Sequence, residues 1–376
     1  MQYTYIGTMS ANTPSLKLSI LVPVYNTGNL LEPCLRSLET QDYDGIEFIC
    51  IDDGSTDGSA AVLDAWAARD ARFRVLHLPN GGYGKAMNRA LAEARGEWVG
   101  IVEPDDTIEP TMYSHLMELA ARTSALIVKG NYSIRRGETT CPAGKFSHLS
   151  PGTELPAETA TDYILGPLAI WSAIYRRDWL QACGIHFSET PGAAFQDLGF
   201  AIRTWVAAAI PPPIDRNYSP AICVSPAAAY HYREDNPASS SRKLDEGAWN
   251  ALHELELQAD VFEKLPPDAR TVRSLLVKRI LHTLQADYRL RLSTRIPEYL
   301  AAYSALLNRH FPLHTLQASA FKKREWHDLQ LIYNNPQQYP SRRRGNVSWL
   351  QRIYSCRREA GHRVLRLCGF TIHLSH

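Results

Sequence analysis

Three carboxylates stand within four residues at Glu103-Pro104-Asp105-Asp106, at the end of the apolar run WVGIV (residues 98–102). Like charges this close repel one another, so the cluster is costly unless something positive occupies it. Carboxylate oxygens suit Mg2+ or Mn2+, which take one or two protein side chains and fill the remaining positions with substrate phosphates. A cation there would neutralise a diphosphate as a bond to it breaks. A solvated acidic turn capping a helix that begins near Pro110 accounts for the same residues, and the motif alone leaves the two readings even.

Five further clusters could join such a site. Pro23-Val24-Tyr25-Asn26 ends another apolar run, where Tyr25 could stack on a base or simply pack. Asp52-Asp53-Gly54-Ser55 offers carboxylates to a base edge or a ribose hydroxyl, while Ser55 or Asp57 could equally cap a helix. Asn80-Gly81-Gly82-Tyr83-Gly84-Lys85 brings three glycines to a helix start, where backbone amides can meet phosphate. It is neither a Walker A loop nor GxGxxG, and a flexible turn fits as well. Asp197, in FQDLGF, is an acid among apolar residues, suited to a general base or to a helix N-cap. Tyr230-His231-Tyr232-Arg233, followed by Asn236, Ser239, Ser240 and Ser241, could grip a diphosphate or form an edge strand with a polar loop.

The elements that must position these residues alternate. Residues 17–24 (KLSILVPV), 46–51, 73–78 and 98–102 are short apolar runs with the length and β-branching of buried strands. Residues 30–38, the alanine-rich stretch to Arg69 and residues 84–95 carry helical spacing between them. Short links between strands and helices predict a parallel sheet of βαβ units, and such sheets bind ligands beyond the carboxyl ends of their strands. Three of the four strands end in polar or acidic clusters, which should therefore share one crevice. After residue 125 the pattern loosens; residues 245–309 are again helical in spacing.

The order PVYN, DDGSTDGS, GGYGK with AMNRALAEARGEW, then EPDD closely resembles the family 2 glycosyltransferases of the GT-A fold, and within them a bacterial, non-processive subgroup. The resemblance covers residues 17 to about 119, with later features at Asp197 and at residues 230–241. It implies a GT-A-type, Rossmann-like, mostly parallel sheet flanked by helices, with a C-terminal helical extension. It implies that Pro23, Tyr25, Asn26 and Asp53 bind the nucleoside, and that Gly84, Lys85, Asn88, Asp105 and Arg233 contact the nucleotide-sugar. Asp106 and Asp105, with Glu103 where the family often has an aspartate, would hold Mn2+ or Mg2+. Asp197 matches the base of inverting members. Met87 stands where arginine is frequent, and Lys85 is the candidate to replace that charge. No QxxRW motif is present, which argues against a processive synthase. The expected activity is inverting transfer of one sugar, from a UDP-sugar in particular, to an acceptor hydroxyl in bacterial cell-surface glycan synthesis (capsule, O-antigen or lipopolysaccharide). A catalytically silent nucleotide-sugar-binding subunit on the same scaffold is the alternative. A nucleotidyltransferase should carry a basic glycine-rich loop after the first strand, and PVYNTGN has no basic residue.

The 376 residues are 45% hydrophobic and 21% charged, ordinary for a globular chain. Seven cysteines in irregular spacing, with no CxxC pair, fit a reducing cytosol better than a disulfide framework or a zinc cluster. The first 15 residues lack the pattern of a secretory signal, and no apolar run is long enough to span a bilayer. The expected organisation is a flexible N-terminus (1–15), a nucleotide-sugar-binding half (16–125), an acceptor-binding half (126–242), a helical region (243–335) and a basic tail (336–376). The net charge of +1 conceals that the segment 339–376 carries eight arginines against the single acid Glu359. Mixed with Trp349, Leu350 and Ile353, this charge suits an amphipathic segment on an anionic membrane or a helix packed on the acidic body. Charge alone would also permit nucleic acid, which nothing else supports. The expected acceptor is a glycan or a lipid-linked glycan, at the inner face of the cell membrane.

Overall fold

The computed structural model describes residues 16–193, 195–210, 219–236, 245–290, 292, 294–339, 354–359, 362–367 and 370–374. Residues 1–15 and Ser239, Ser240 and Ser241 lie outside them. The chain opens with β1 (Leu18–Val24), α1 (Leu31–Glu39), β2 (Ile46–Asp52), α2 (Ser59–Arg69), β3 (Phe73–His77), α3 (Tyr83–Glu93) and β4 (Trp98–Ile101). β1 pairs in parallel with β2 and β4, and β2 with β3, so the expected βαβ succession forms. Every residue of β1 and β2 is buried, because helices cover both faces of a parallel sheet. Leu18, Ile20, Val22 and Val24 pack with Leu31, Leu35 and Leu38 of α1 and Trp66 of α2. Leu21, Ile49 and Ile51 face the other way, onto Ala86, Met87 and Ala90 of α3. Met87 is 0% exposed, so this position serves packing and offers nothing to a phosphate.

The sheet continues in mixed sense through β5 (Thr107–Ile108), α4 (Met112–Arg122), β6 (Ala125–Arg136), β7 (Thr139–Ala143), β8 (Thr153–Pro156), α5 (Thr161–Ile164), β9 (Ala173–Arg176), α6 (Arg177–Ala182), α7 (Gln196–Ala209) and β10 (Ser219–Arg233). The order is β3-β2-β1-β4-β9-β6-β10-β5, with β7 on β6 and β8 on β10. β9 runs antiparallel to both β4 and β6, and β10 antiparallel to β5. β6 and β10 pair in parallel, so parallel pairing recurs beyond the first four strands, with antiparallel β9 joining the two parts of the sheet.

A helical region follows: α8 (Asp245–Glu256), α9 (Ala259–Glu263), α10 (Arg270–Leu290), α11 (Ile296–His310) and α12 (Lys323–Asn334). Its apolar side chains join the same core as α3 and α7, so it is continuous with the sheet domain. The ion pair Arg203–Asp260 (2.9 and 3.1 Å) ties α7 to α9. The tail forms β11 (Tyr354–Glu359), β12 (His362–Leu367) and β13 (Phe370–Leu374), an antiparallel three-stranded sheet. Strands therefore stand where a helix packed on the acidic body was one of the two readings.

Candidate active site

β1, β2 and β4 point their carboxyl ends the same way, and the polar clusters follow directly. Tyr25, just past β1, is 53% exposed. Pro23 is buried within β1 and pairs with Ile51. Asn26 takes a positive φ of 48°, a conformation asparagine tolerates better than most residues. Its Oδ1 accepts from the Thr56 amide at 2.7 Å, and its own amide donates to Ser55 Oγ at 3.1 Å. The first two clusters are thereby sewn together. Gly58 takes the N-cap position of α2, and Asp57 Oδ1 accepts from the amide of Ser59, its first residue, at 3.0 Å.

The adjacent acids of the second cluster are both buried, and both hold backbone. Asp52 accepts from the Ser55 amide (2.9 Å) and from His77 Nδ1 (2.8 Å). Although burial opposes it, these hydrogen bonds and the His77 charge hold the Asp52 carboxyl below its ordinary range, and the same pairing raises His77. Asp53, 4% exposed, accepts from the amides of Gly81 (2.8 Å) and Gly82 (2.9 Å). The glycine-rich loop is thus anchored on an acid and not left flexible.

That loop docks on a distant segment. A Cβ on Gly84 would lie 2.0 Å from the Ser188 carbonyl oxygen, so only glycine permits the approach. Tyr83 N donates to Gly192 O at 3.0 Å. Asn88 spends its whole carboxamide on the same segment: Oδ1 accepts from Phe187 N (2.8 Å), and Nδ2 donates to Phe187 O and Glu189 Oε1 (both 2.9 Å). Gln196 Nε2 continues the chain of contacts to Thr190 Oγ1 at 2.8 Å. Lys85 is exposed beside this junction.

The acidic triplet divides in role. Asp106 is 1% exposed; its Oδ1 accepts from Arg233 N (2.6 Å) and its Oδ2 from Tyr230 Oη (2.8 Å). Burial and the neighbouring Asp105 charge push it well above the usual carboxylate range. It clamps the end of β10 onto the end of β4. Asp105 is partly buried, with Oδ2 accepting from Asn236 Nδ2 at 2.7 Å and its carbonyl accepting from Arg233 Nε at 3.3 Å. Glu103 accepts from Tyr83 Oη at 2.7 Å. Loss of solvation, with the charges of Asp105 and Asp197, pushes Glu103 up to about 8.

Asp197 stands inside the first turn of α7 and does not cap it; the N-cap is Phe195, at φ 65°. A positive φ on a bulky aromatic is strained, and such strain gathers at functional positions. The Asp197 side chain is exposed, and its charge reaches Glu103 and Tyr83. The acids from the ends of β4 and α7 therefore lie in one electrostatic neighbourhood, although 91 residues separate Asp106 from Asp197 in the numbering.

A divalent cation would find only hard oxygen donors here. Among the described residues no group of three or more His, Cys, Asp or Glu side chains is arranged to hold a metal. Mg2+ and Mn2+ bound through substrate phosphates need only one or two carboxylates, so the donor chemistry of Asp105 and Glu103 fits. Asp106 has both oxygens committed to β10. Sequence reasoning did not anticipate the roles of Tyr83, Tyr230 and Asn236, although all three sit in motifs it singled out. Glu254 and Arg279, whose charges also interact with Asp197, carry no sequence signal at all.

The sequence profile of Glycosyl transferase family 2 matches residues 19–184. Glycosyltransferase GlyG of Streptococcus pneumoniae is 41% identical over 116 residues, 31% of this chain and 38% of that protein. A poly(ribitol-phosphate) beta-glucosyltransferase of Bacillus spizizenii is 29% identical over 162 residues, 42% of this chain and 25% of its own length. The chain thus spans well under half of either relative. In fold, the crystal structure of S. aureus TarS 1-349 in complex with UDP-GlcNAc superposes with a TM-score of 0.70 at 19% identity, covering 96% of this chain and 99% of that one. Residues 19–184 are thus a family 2 glycosyltransferase region, and the chain as a whole has the GT-A fold.

Proposed function

We propose that this transferase moves a single sugar from a UDP-sugar to an acceptor hydroxyl with inversion, in the assembly of a bacterial cell-surface glycan. The observation that carries the reading is the convergence of Asp197 with the carboxylates that follow β4. Two similar proteins support the donor and product classes: TarS, whose crystal structure holds UDP-GlcNAc, and the beta-glucosyltransferase that acts on poly(ribitol-phosphate).

Tyr25, Asn26 and the backbone at the end of β2 receive the nucleoside; Asp53 acts on it indirectly, by fixing the loop at residues 80–82. Asp105, with Glu103, holds Mg2+ or Mn2+, which supplies charge neutralisation for the departing diphosphate. Lys85 and Arg233 add positive charge near it. Asp197 takes the proton of the acceptor hydroxyl as that oxygen attacks the anomeric carbon, and the nucleoside diphosphate leaves from the opposite face. Asp197→Asn should lower transfer by about a thousandfold, within the range a general base is worth. Binding of UDP-sugars, read by thermal shift with and without Mn2+, should be retained. Wild-type turnover by this variant would end the assignment.

We assign the basic tail to an anionic membrane surface, where a lipid-linked acceptor would be found, at the cytoplasmic face. The eight arginines of residues 339–376, against the single acid Glu359, support this. Deleting residues 339–376 should abolish co-sedimentation with liposomes containing anionic lipid; unaltered sedimentation removes the tail from the proposal. Among the described residues no helix is long and apolar enough to cross a membrane.

A further inference from the structure

We propose that His77, at the end of β3, is a positioning residue for the donor nucleoside: its protonated ring locks the turn after β2 against α2. The inference rests on the reading that this turn and Asn26 receive the nucleoside.

Both ring nitrogens of His77 meet carboxylate oxygens. Nδ1 lies 2.8 Å from Asp52 Oδ2, and Nε2 lies 3.1 Å from Asp64 Oδ1. A neutral imidazole carries one N–H and one bare nitrogen, and the bare nitrogen would set its lone pair against a carboxylate. Only the imidazolium satisfies both contacts. Asp52 ends β2 and Asp64 lies on α2, so a ring carried by β3 bridges two other elements. The hydrogen bond to Asp52, followed by that to Asp64, raises the His77 pKa above its ordinary value, and partial burial opposes the rise.

Asp52 is the inner end of this clamp, with a side chain 5% exposed against 64% for Asp64. It passes the constraint on. Its Oδ1 accepts from the Ser55 amide (2.9 Å), Ser55 Oγ accepts from Asn26 N (3.1 Å), and Asn26 Oδ1 accepts from Thr56 N (2.7 Å). The Asp52 carbonyl accepts from Leu78 N, and Asp53 N donates to Val24 O, both at 2.8 Å. The ends of β1, β2 and β3 thus share one network, with Tyr25 and Asn26 at its outer edge. Loss of the ring proton takes a counter-charge from buried Asp52 and frees the ring from one of its two acids. The locked turn favours the protonated ring, so nucleotide affinity is full at low pH and falls as pH rises through the raised His77 value.

The test uses the full chain and UDP with Mg2+, titrated by calorimetry from about pH 6 to about pH 9. Glu103 ionises in the same range, so the comparison is between proteins that share it. Wild type should bind UDP about three- to fivefold more tightly than His77→Gln at the low end, the worth of a partly exposed ion pair. The two should bind alike at the high end, where the wild-type ring is neutral. A merely structural role would give one constant ratio at every pH, and that result overturns the proposal. Asp64→Asn removes the outer, exposed acid and leaves the nucleotide turn intact. It should move the fall in affinity to lower pH; a fall that stays in place overturns the proposal as well. UDP binding absent from the wild type at every pH would be the failure of the nucleoside reading. The His77 imidazole signals in NMR separate that case from a failed clamp. With the clamp intact, their midpoint lies above the ordinary histidine value and drops in Asp64→Asn; an ordinary midpoint, equal in both proteins, means that the clamp itself is wrong.

Discussion

The two sides of the cleft use carboxylates in different ways. On the sheet side, Asp52, Asp53 and Asp106 have their oxygens filled by hydrogen bonds, mostly from backbone amides. They hold loops in place, and Tyr25, Lys85 and Asp105 are what those loops present. On the helical side, Asp197, Glu254 and Arg279 come from three different helices, and the Asp197 charge acts on each of the other two. The first side is built by local geometry and should respond to mutation as a fold does. The second is built by long-range packing and should respond as an electrostatic site does.

The largest effect expected from the sheet side is at Gly84. A methyl group there would press on the Ser188 carbonyl oxygen, which is backbone and cannot rotate away. Gly84→Ala should cost about 3 kcal/mol or more, toward the upper end for overpacking. It should also depress activity, because the displaced 188–192 segment leads directly into α7. A variant with wild-type melting and turnover would show that the loop and the segment are not locked together. Next comes Asp53→Asn, which turns an acceptor of two glycine amides into a group with one acceptor and one donor. A loss of about 2 to 3 kcal/mol is expected, the cost of a buried charged hydrogen-bond pair left half unmade. Donor KM should rise with it, since the displaced loop is what faces the nucleotide.

A paired comparison within the triplet sharpens the division. Asp105→Asn should raise the Mn2+ concentration needed for half-maximal activity by about tenfold, with little change in Tm. Asp106→Asn should do the reverse, lowering stability by about 1 to 2 kcal/mol through weakened contacts to Arg233 N and Tyr230 Oη. Its metal requirement should hold. If Asp106→Asn shifts the metal requirement and Asp105→Asn does not, the roles given to the two aspartates are exchanged.

This division also explains what could be read from the chain. β1 to β4 and α1 to α3 were legible because each is an apolar run of the right period, closed by residues that act on their immediate neighbours. The acidic triplet was legible as a site for the same reason. Its internal division was not, because Asp105 and Asp106 are chemically identical in sequence. Only the arrival of β10, with Tyr230 and Arg233, distinguishes them. Asp197 was found through resemblance, and its N-cap alternative failed because the strained Phe195 takes the capping position. Glu254 and Arg279 sit on amphipathic helices where an isolated charge reads as solvated surface. What buries them is packing among α7, α8 and α10, which no local pattern encodes. The tail was legible in charge but not in form, since alternating short apolar residues serve a strand or a helix in runs so short.

The smallest effect tests the helical side on its own terms. Glu254 is 1% exposed, and its Oε1 accepts from Ser188 Oγ and Gln258 Nε2, both at 2.8 Å. Its Oε2 has no hydrogen-bond partner. Burial pushes its pKa up to about 7, while the Asp197 charge adds to the shift and Ser188 and Arg203 oppose it. Because the folded value lies above the unfolded one, the protonated form is favoured in the fold. The associated stability is full below the unfolded carboxylate range and is lost as pH rises through about 7. Glu254→Gln removes the titration while keeping a similar shape. The stability difference between wild type and this variant should therefore move against the wild type by about 1 to 2 kcal/mol between pH 5 and pH 8, read from denaturant midpoints. The same shift in both proteins would mean that Glu254 ionises as it does in water. The contrast between the two sides of the cleft would then be lost.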